Sequence, residues 1–504
     1  MKSKCHDDNE DETSSLSSLD RIGYTYSHAS IPNVCDILTD NRPMVDQQPT
    51  IPRQRTTTTT TNNKHGQIKK SSYHLIVHFD INETVLIGDE AGGDSFQDVI
   101  HKMLAKSAFV QIPKTNDGVI RTKKDLEDTS QVEPTHWWDG SKIRTIKDEI
   151  DGNDQASRLP PPLYTGWTWP KDCCPYYRTR CKRRAKTFVE HDGAIYRPIY
   201  DVLDRTLRQQ QQQHTHHVFE HILPALFETL IVLAERQAND DHIMDQHTIV
   251  FRTMGTDLPI LAKAMSLFAQ GKHPLYPDFY HPEYILPETH LYQGRWVSRH
   301  DNGSNTTARH GATRDDDYVY QLSRNNQVVA LGDEELLDLL HGNTSSKVFG
   351  IQDDYPFWNA NDCHPWAGKP VWSVLPVTKD DDVLLSGGGD DDNNNHAYTY
   401  YHHLLFDDNI HNLVNDSIAS VRKQQQPIDA ECPDDDLPVA STTVSTRPMS
   451  FRTLSGQEIQ EEQGRSLIRV PTIEPVLNRQ WFVEQIDRAT ATFFQRQQET
   501  CCKR

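Results

Sequence analysis

Residues 73–79 read YHLIVHF, a short apolar run rich in strand formers, and the run stops at Asp80. A run of this kind suits a central strand of a parallel sheet, buried on both faces. In such a sheet the side chains at the carboxyl ends of strands line the ligand crevice. Asp80 is therefore expected where a carboxylate can attack phosphorus or ligate a hard cation. Taken alone, it equally suits a turn aspartate after a strand.

Further elements follow along the chain. Val218–Glu235 has helical spacing of Ile222, Leu226, Leu230 and Leu233, with Pro224 marking a break near its start. His247–Phe251, Val348–Ile351 and His403–Phe406 read as strands. Asp257 is placed to cap a helix that takes Pro259 into its first turn and ends near Gln270. Phe482, Ile486, Ala489 and Phe493 give one apolar helical face near the C-terminus. Strands alternating with helices predict an α/β fold, a mainly parallel sheet with helices on both faces.

Only 36% of the 504 residues are hydrophobic, and the formal net charge is −20. The surplus of polar residues is concentrated in a few stretches: the arm 1–70, residues 209–217, 301–317 and 379–395, and the segment 424–464. These read as disordered arms and loops. The acidic balance argues against nucleic acid and anionic membrane as partners, because both need a basic footprint. The opening MKSKCHDDNEDE lacks the apolar core of a secretory signal, and no run of about 18 apolar residues predicts a membrane span. Nine cysteines without CxxC pairing read as reduced thiols, so a cytoplasmic location is expected.

The segment HLIVHFDINETVLI, residues 74–87, resembles motif I of the haloacid dehalogenase-like (HAD) superfamily at Asp80 and Thr84. Later segments resemble the remaining motifs, in order. TIVFRT ends in Thr253 like motif II, AGKPVW offers Lys369 for motif III, and HLLFDDN ends a strand in Asp407 and Asp408 like motif IV. FRTMGTDLP and GIQDDYPFWNANDCHPWAGKP are further similar to an uncharacterised HAD-like group. The resemblance implies a Rossmann-like core and an aspartyl-phosphate on Asp80. It also implies phosphate contacts from Asn82, Thr84, Thr253 and Lys369, and Mg²⁺ held by Asp80, the Asn82 carbonyl and one or both of Asp407 and Asp408.

Asn82 departs from the pattern, for most HAD phosphatases carry a second Asp there as general acid and base. An amide exchanges no proton near neutral pH, and such a group is typically worth about 10²–10⁴ in rate. Three functions follow from this. One is a slow hydrolase for substrates with good leaving groups, or one borrowing an acid from Glu83, His364 or Asp353. The second is a phosphotransferase or lasting phosphoprotein, and the third a non-catalytic scaffold with protein partners bound through the disordered arms. For the first two, the substrate is a phosphorylated small molecule or a phosphoprotein. Asp353 and Asp354 either approach the metal or cap a turn before Pro356.

The expected organisation is a disordered arm over 1–70, the core over 71–92 and 246–423, and a cap-like insertion over 93–245. A disordered linker spans 424–464, and residues 465–504 form a strand-helix unit that packs on the core. The insertion holds Trp137, Trp138, Trp167, Trp169 and the basic run 178–184. That run is either a surface helix or a guide for an anionic substrate.

Overall fold

The computed structural model describes residues 71–88, 94–111, 133–143, 156–157, 170–178, 180–212, 217–238, 246–299, 317–342, 346–378, 398–410, 417–425, 449–455, 457–471 and 473–502. The arm 1–70, Trp167, Trp169 and residues 301–316, 379–395 and 426–448 lie outside them.

One sheet holds twelve strands. In chain order they are β1 (Ser72–Asp80), β2 (Gln246–Thr253), β3 (Leu291–Ser298), β4 (Tyr318–Arg324), β5 (Gln327–Leu331), β6 (Val348–Gln352), β7 (Lys369–Ser373), β8 (Val377–Thr378), β9 (Tyr398–Asp407), β10 (Ala419–Gln424), β11 (Phe451–Thr453) and β12 (Leu467–Arg469). The order across the sheet is β11-β10-β7-β9-β1-β2-β6-β3-β4-β5. β8 pairs antiparallel with β9, and β12 pairs parallel with its carboxyl-terminal half. β1 runs parallel to both β9 and β2, and β2 parallel to β6.

β1 is the middle of this arrangement because it is apolar on both faces. Leu75, Val77 and Phe79 join one buried cluster, whereas Ile76 joins another across the sheet. The first face is covered by helices α1 (Phe96–Ser107), α2 (Pro224–Ala238) and α3 (Trp481–Cys502). Phe79 stacks on Phe406 at 5.2 Å between ring centroids and meets Phe482 of α3 edge-on at 5.3 Å. Leu336, Leu337 and Leu340, from the helix Gly332–His341, cover the second face, in one buried cluster with Val250 of β2 and Phe349 of β6. Helices on both faces of a mostly parallel sheet are thus observed.

Two stretches of the expected organisation carry described structure. Trp137, Tyr176 and Tyr196 of the 93–245 segment are buried in the same continuous cluster as Phe79 and Phe251. Described parts of that segment therefore pack against the sheet in one buried cluster. Within the 424–464 linker, residues 449–464 carry β11, paired antiparallel with β10, and a short helix that buries Ile459. No helix among the described residues is long and apolar enough to cross a membrane.

Strand order decides where a crevice opens. From β1 the chain proceeds to β2 and β6 on one side, and from β9 to β12 on the other. The direction reverses between β1 and β9, the kind of switch point at which open α/β sheets bind ligands. Asp80 is the last residue of β1 and Asp407 the last of β9.

Candidate active site

The chain leaves β1 in a tight turn. Val85 and Leu86 both donate to the Ile81 carbonyl, at 3.0 and 2.9 Å, and Glu83 takes a left-handed backbone conformation with φ of 58°. The turn brings the Thr84 hydroxyl back onto Asp80 Oδ2 at 3.3 Å. It also directs Glu83 toward α1, where its carboxylate meets Lys102 at 3.0 Å and Lys106 at 2.5 Å.

Carboxylate oxygens of Asp80, Asp407 and Asp408 lie within 4.8 Å of one another, and all three residues are buried. Lys369, the first residue of β7, is fully buried and donates to both Asp80 Oδ1 and Asp407 Oδ2, the latter at 2.7 Å. Lys106 donates to Asp408 Oδ2 at 2.6 Å, with its ammonium 5.3 Å from the Tyr177 ring centroid. The two lysines do not cancel the charge. Burial and then Asp407 push the Asp80 carboxyl well above its ordinary range, against the pull of Lys369. Burial, opposed by Lys106, pushes Asp408 up to about 6. Three hard oxygen donors so close together could hold a metal cation, which would return the carboxyls to their ionised form.

Thr253 ends β2 on the other side of Asp80. Its hydroxyl oxygen accepts the Gly255 N–H at 2.8 Å, which leaves the hydroxyl hydrogen free to donate. Asn82 Nδ2 donates to Asp257 Oδ2 at 2.7 Å, and Asn82 Oδ1 is buried without a hydrogen-bond partner among the described residues. Asp257 precedes the helix Leu258–Ala269 as predicted, yet its side chain makes no capping bond. Gly255 lies among these groups. A Cβ there would be 2.7 Å from Asp257 Oδ2 and 3.3 Å from both Asn82 Nδ2 and Thr253 Oγ1. Only glycine lets Thr253, Asn82 and Asp257 converge on one small space.

Several expected roles move elsewhere. Asp353 does not join the carboxylates but pairs with the buried Arg252, which donates through Nε at 2.9 Å and through Nη2, and it accepts Tyr320 Oη at 2.5 Å. Asp354 takes the turn role, accepting the N–H of Phe357 at 3.2 Å and of Trp296 at 3.1 Å. Burial pushes Glu83 up, but the ammonium groups of Lys106 and Lys102 outweigh it and hold the carboxylate below its usual range. Glu83 is therefore a poor proton donor. Among the described residues, no hydrogen bond ties the His364 ring to the cluster.

Sequence reasoning missed Lys106, Arg469 and the bond from Asn82 to Asp257. Lys106 lies on α1, within the segment read from the sequence only as a cap-like insertion. Arg469 stands in register with Asp407 through the pairing of β12 with β9.

No family model, curated protein or solved structure matches the chain. The site must therefore be judged by its chemistry. It holds a buried carboxylate beside an ammonium, hydroxyl donors at Thr84 and Thr253, and a cluster able to hold a cation at the switch point of the sheet.

Proposed function

We propose that the chain is a Mg²⁺-dependent, HAD-like phosphohydrolase or phosphotransferase that works through an aspartyl-phosphate on Asp80. The observation carrying this reading is Lys369, which bridges Asp80 and Asp407 at the carboxyl ends of two adjacent parallel strands. An ammonium at that point holds the nucleophile's Oδ1 and leaves Oδ2 to attack. It also offsets charge that accumulates as the phosphoryl group transfers.

Asp80 Oδ2 forms the bond to phosphorus as the bond to the leaving oxygen breaks. Thr253 donates its hydroxyl to a phosphoryl oxygen, and Thr84 keeps Asp80 oriented. Mg²⁺, held by Asp80, Asp407, Asp408 and the Asn82 carbonyl, would neutralise phosphoryl oxygens and bring Asp80 into its ionised state. Asn82 neither protonates the leaving group nor activates water. Acyl phosphates, whose leaving group needs no proton, are thus favoured donors, and Asp80-phosphate is long-lived.

The test is to incubate the full chain with Mg²⁺ and acetyl phosphate and to follow intact mass. A gain of one phosphoryl group that disappears in Asp80→Asn and with EDTA is expected. Hydrolysis of the adduct should be faster in Asn82→Asp, by up to about 10²-fold, the low end of acid/base contributions. If no adduct or hydrolysis depends on Asp80, the catalytic reading fails and a scaffold role takes its place.

A further inference from the structure

We infer that Arg469 grips a second anionic group on the substrate, a carboxylate or a phosphate separate from the one transferred. The inference rests on the phosphoryl-transfer reading above and names the substrate class for that site. β12 pairs with β9 through Leu405 and Leu467, Phe406 and Ile468, and Asp407 and Arg469. Leu405 and Leu467 share one apolar cluster, so Arg469 projects from the same face as Asp407, at the crevice end of the sheet.

Its guanidinium is unlike the others nearby. Arg252 is held by Asp353, Arg422 by Asp333 at 2.8 Å, and Arg465 by Glu462 at 3.3 Å. Arg469 is partly exposed and has no ion pair among the described residues; its Nε, like that of Arg465, is buried there without a hydrogen-bond partner. Asp408 is near enough to act on its charge but is already engaged. Its Oδ2 takes Lys106 and its Oδ1 takes Asn409 Nδ2 at 2.9 Å. The planar fork of arginine suits a carboxylate or phosphate held through two parallel bonds.

Position separates this group from the transferred phosphoryl. β12 and β1 lie on opposite sides of β9, and strands two apart are separated by roughly 10 Å. Lys369 and Thr253 serve the phosphoryl at Asp80. The long arginine side chain closes much of that distance, so an anion it reaches is only several bonds from the phosphoryl, as in a small phospho-carboxylate or a compact bisphosphate.

The test compares steady-state kinetics of the full chain with Mg²⁺ on three probes whose leaving groups need no proton: p-nitrophenyl phosphate, succinyl phosphate (an acyl phosphate with a carboxylate) and 3-phosphoglyceroyl phosphate (an acyl phosphate with a second phosphate). Arg469→Gln should raise KM for a two-anion probe by about 10- to 100-fold, the range of a charged hydrogen bond. KM for p-nitrophenyl phosphate should stay within about twofold. Arg469→Lys, which keeps charge but loses the fork, should fall between. Which two-anion probe responds tells carboxylate from phosphate. Equal losses on all probes with a lowered Tm make Arg469 structural and overturn the inference, as does an unchanged KM throughout. Wild-type protein that shows no Asp80-dependent turnover of any probe fails the parent reading, and this inference with it.

Discussion

Asn82 donates its side-chain amide to Asp257 at 2.7 Å, and Asp257 makes no capping bond to the helix that follows it. A capping aspartate is worth typically about 1 kcal/mol. The carboxylate is instead committed to the residue that takes the place of the expected acid. Asn82→Asp puts two carboxylates at hydrogen-bond distance. At pH 8 this should destabilise the fold by about 1–3 kcal/mol, the cost of a buried pair left without its hydrogen bond. Asp257→Asn in the same chain rebuilds the bond in reverse. Urea unfolding of both single variants and the double should give a coupling energy above about 1 kcal/mol, and simple additivity would contradict the bond.

Lys369 is the only ammonium that Asp80 and Asp407 share among the described residues. Lys369→Met leaves two buried carboxylates facing each other. The expected loss is about 3–5 kcal/mol, as for breaking one side of a buried ion pair. Millimolar Mg²⁺ should recover part of it, which thermal melts with and without the cation would read. A variant as stable as wild type would mean that the carboxylates are already protonated.

The pH dependence contains two opposed contributions. Burial pushes Asp408 up to about 6 and Asp80 upward as well, so both cost stability as pH rises through that range and cost nothing below the unfolded value near 4. Burial depresses His74, His78, His247, His402 and His403, so these stay neutral in the fold and charge only on unfolding. Each loses stability as pH falls below about 6.5, by about 2 kcal/mol at pH 5. Five histidines outweigh two carboxyls, so the protein should be acid-labile below about pH 5. The gain in Tm from Mg²⁺ should follow the carboxyls and grow between pH 5 and 7. A gain that is flat across that range would place the cation elsewhere.

Asp353 belongs to the scaffold. Asp353→Asn strips Arg252 of its buried counter-charge and should cost about 3–5 kcal/mol. At a temperature where the variant remains folded, phosphorylation of Asp80 should proceed near the wild-type rate. A selective loss of transfer with unchanged Tm would return Asp353 to the chemistry.

Much of this architecture was legible locally. Tyr73–Phe79, His247–Phe251 and Val348–Ile351 lie in strands because largely apolar runs of this length suit burial on both faces of a sheet. Phe482, Ile486, Ala489 and Phe493 lie on one buried helical face, as their spacing requires. The apolar stop at Asp80 and at Asp407 placed both carboxylates at strand ends. The linker was misjudged over 449–464 because β11 is three residues long and takes its stability from pairing with β10, which no local pattern announces.

What only the tertiary structure decided is which charge meets which. Asp353 and Asp407 both follow short apolar strands, yet one is drawn to Arg252 and the other to Lys369. Lys106 reaches Asp408, 302 residues away, and Asn82 reaches Asp257, 175 residues away. The sequence by itself determined four central strands, their polarity at Asp80 and Asp407, and the absence of an acid at position 82. Strand order, which places β9 beside β1 and β12 beyond it, determined the partners. The physical reason is that apolar periodicity is a local property, whereas pairing of buried charges depends on distances that exist only once the sheet has closed around them.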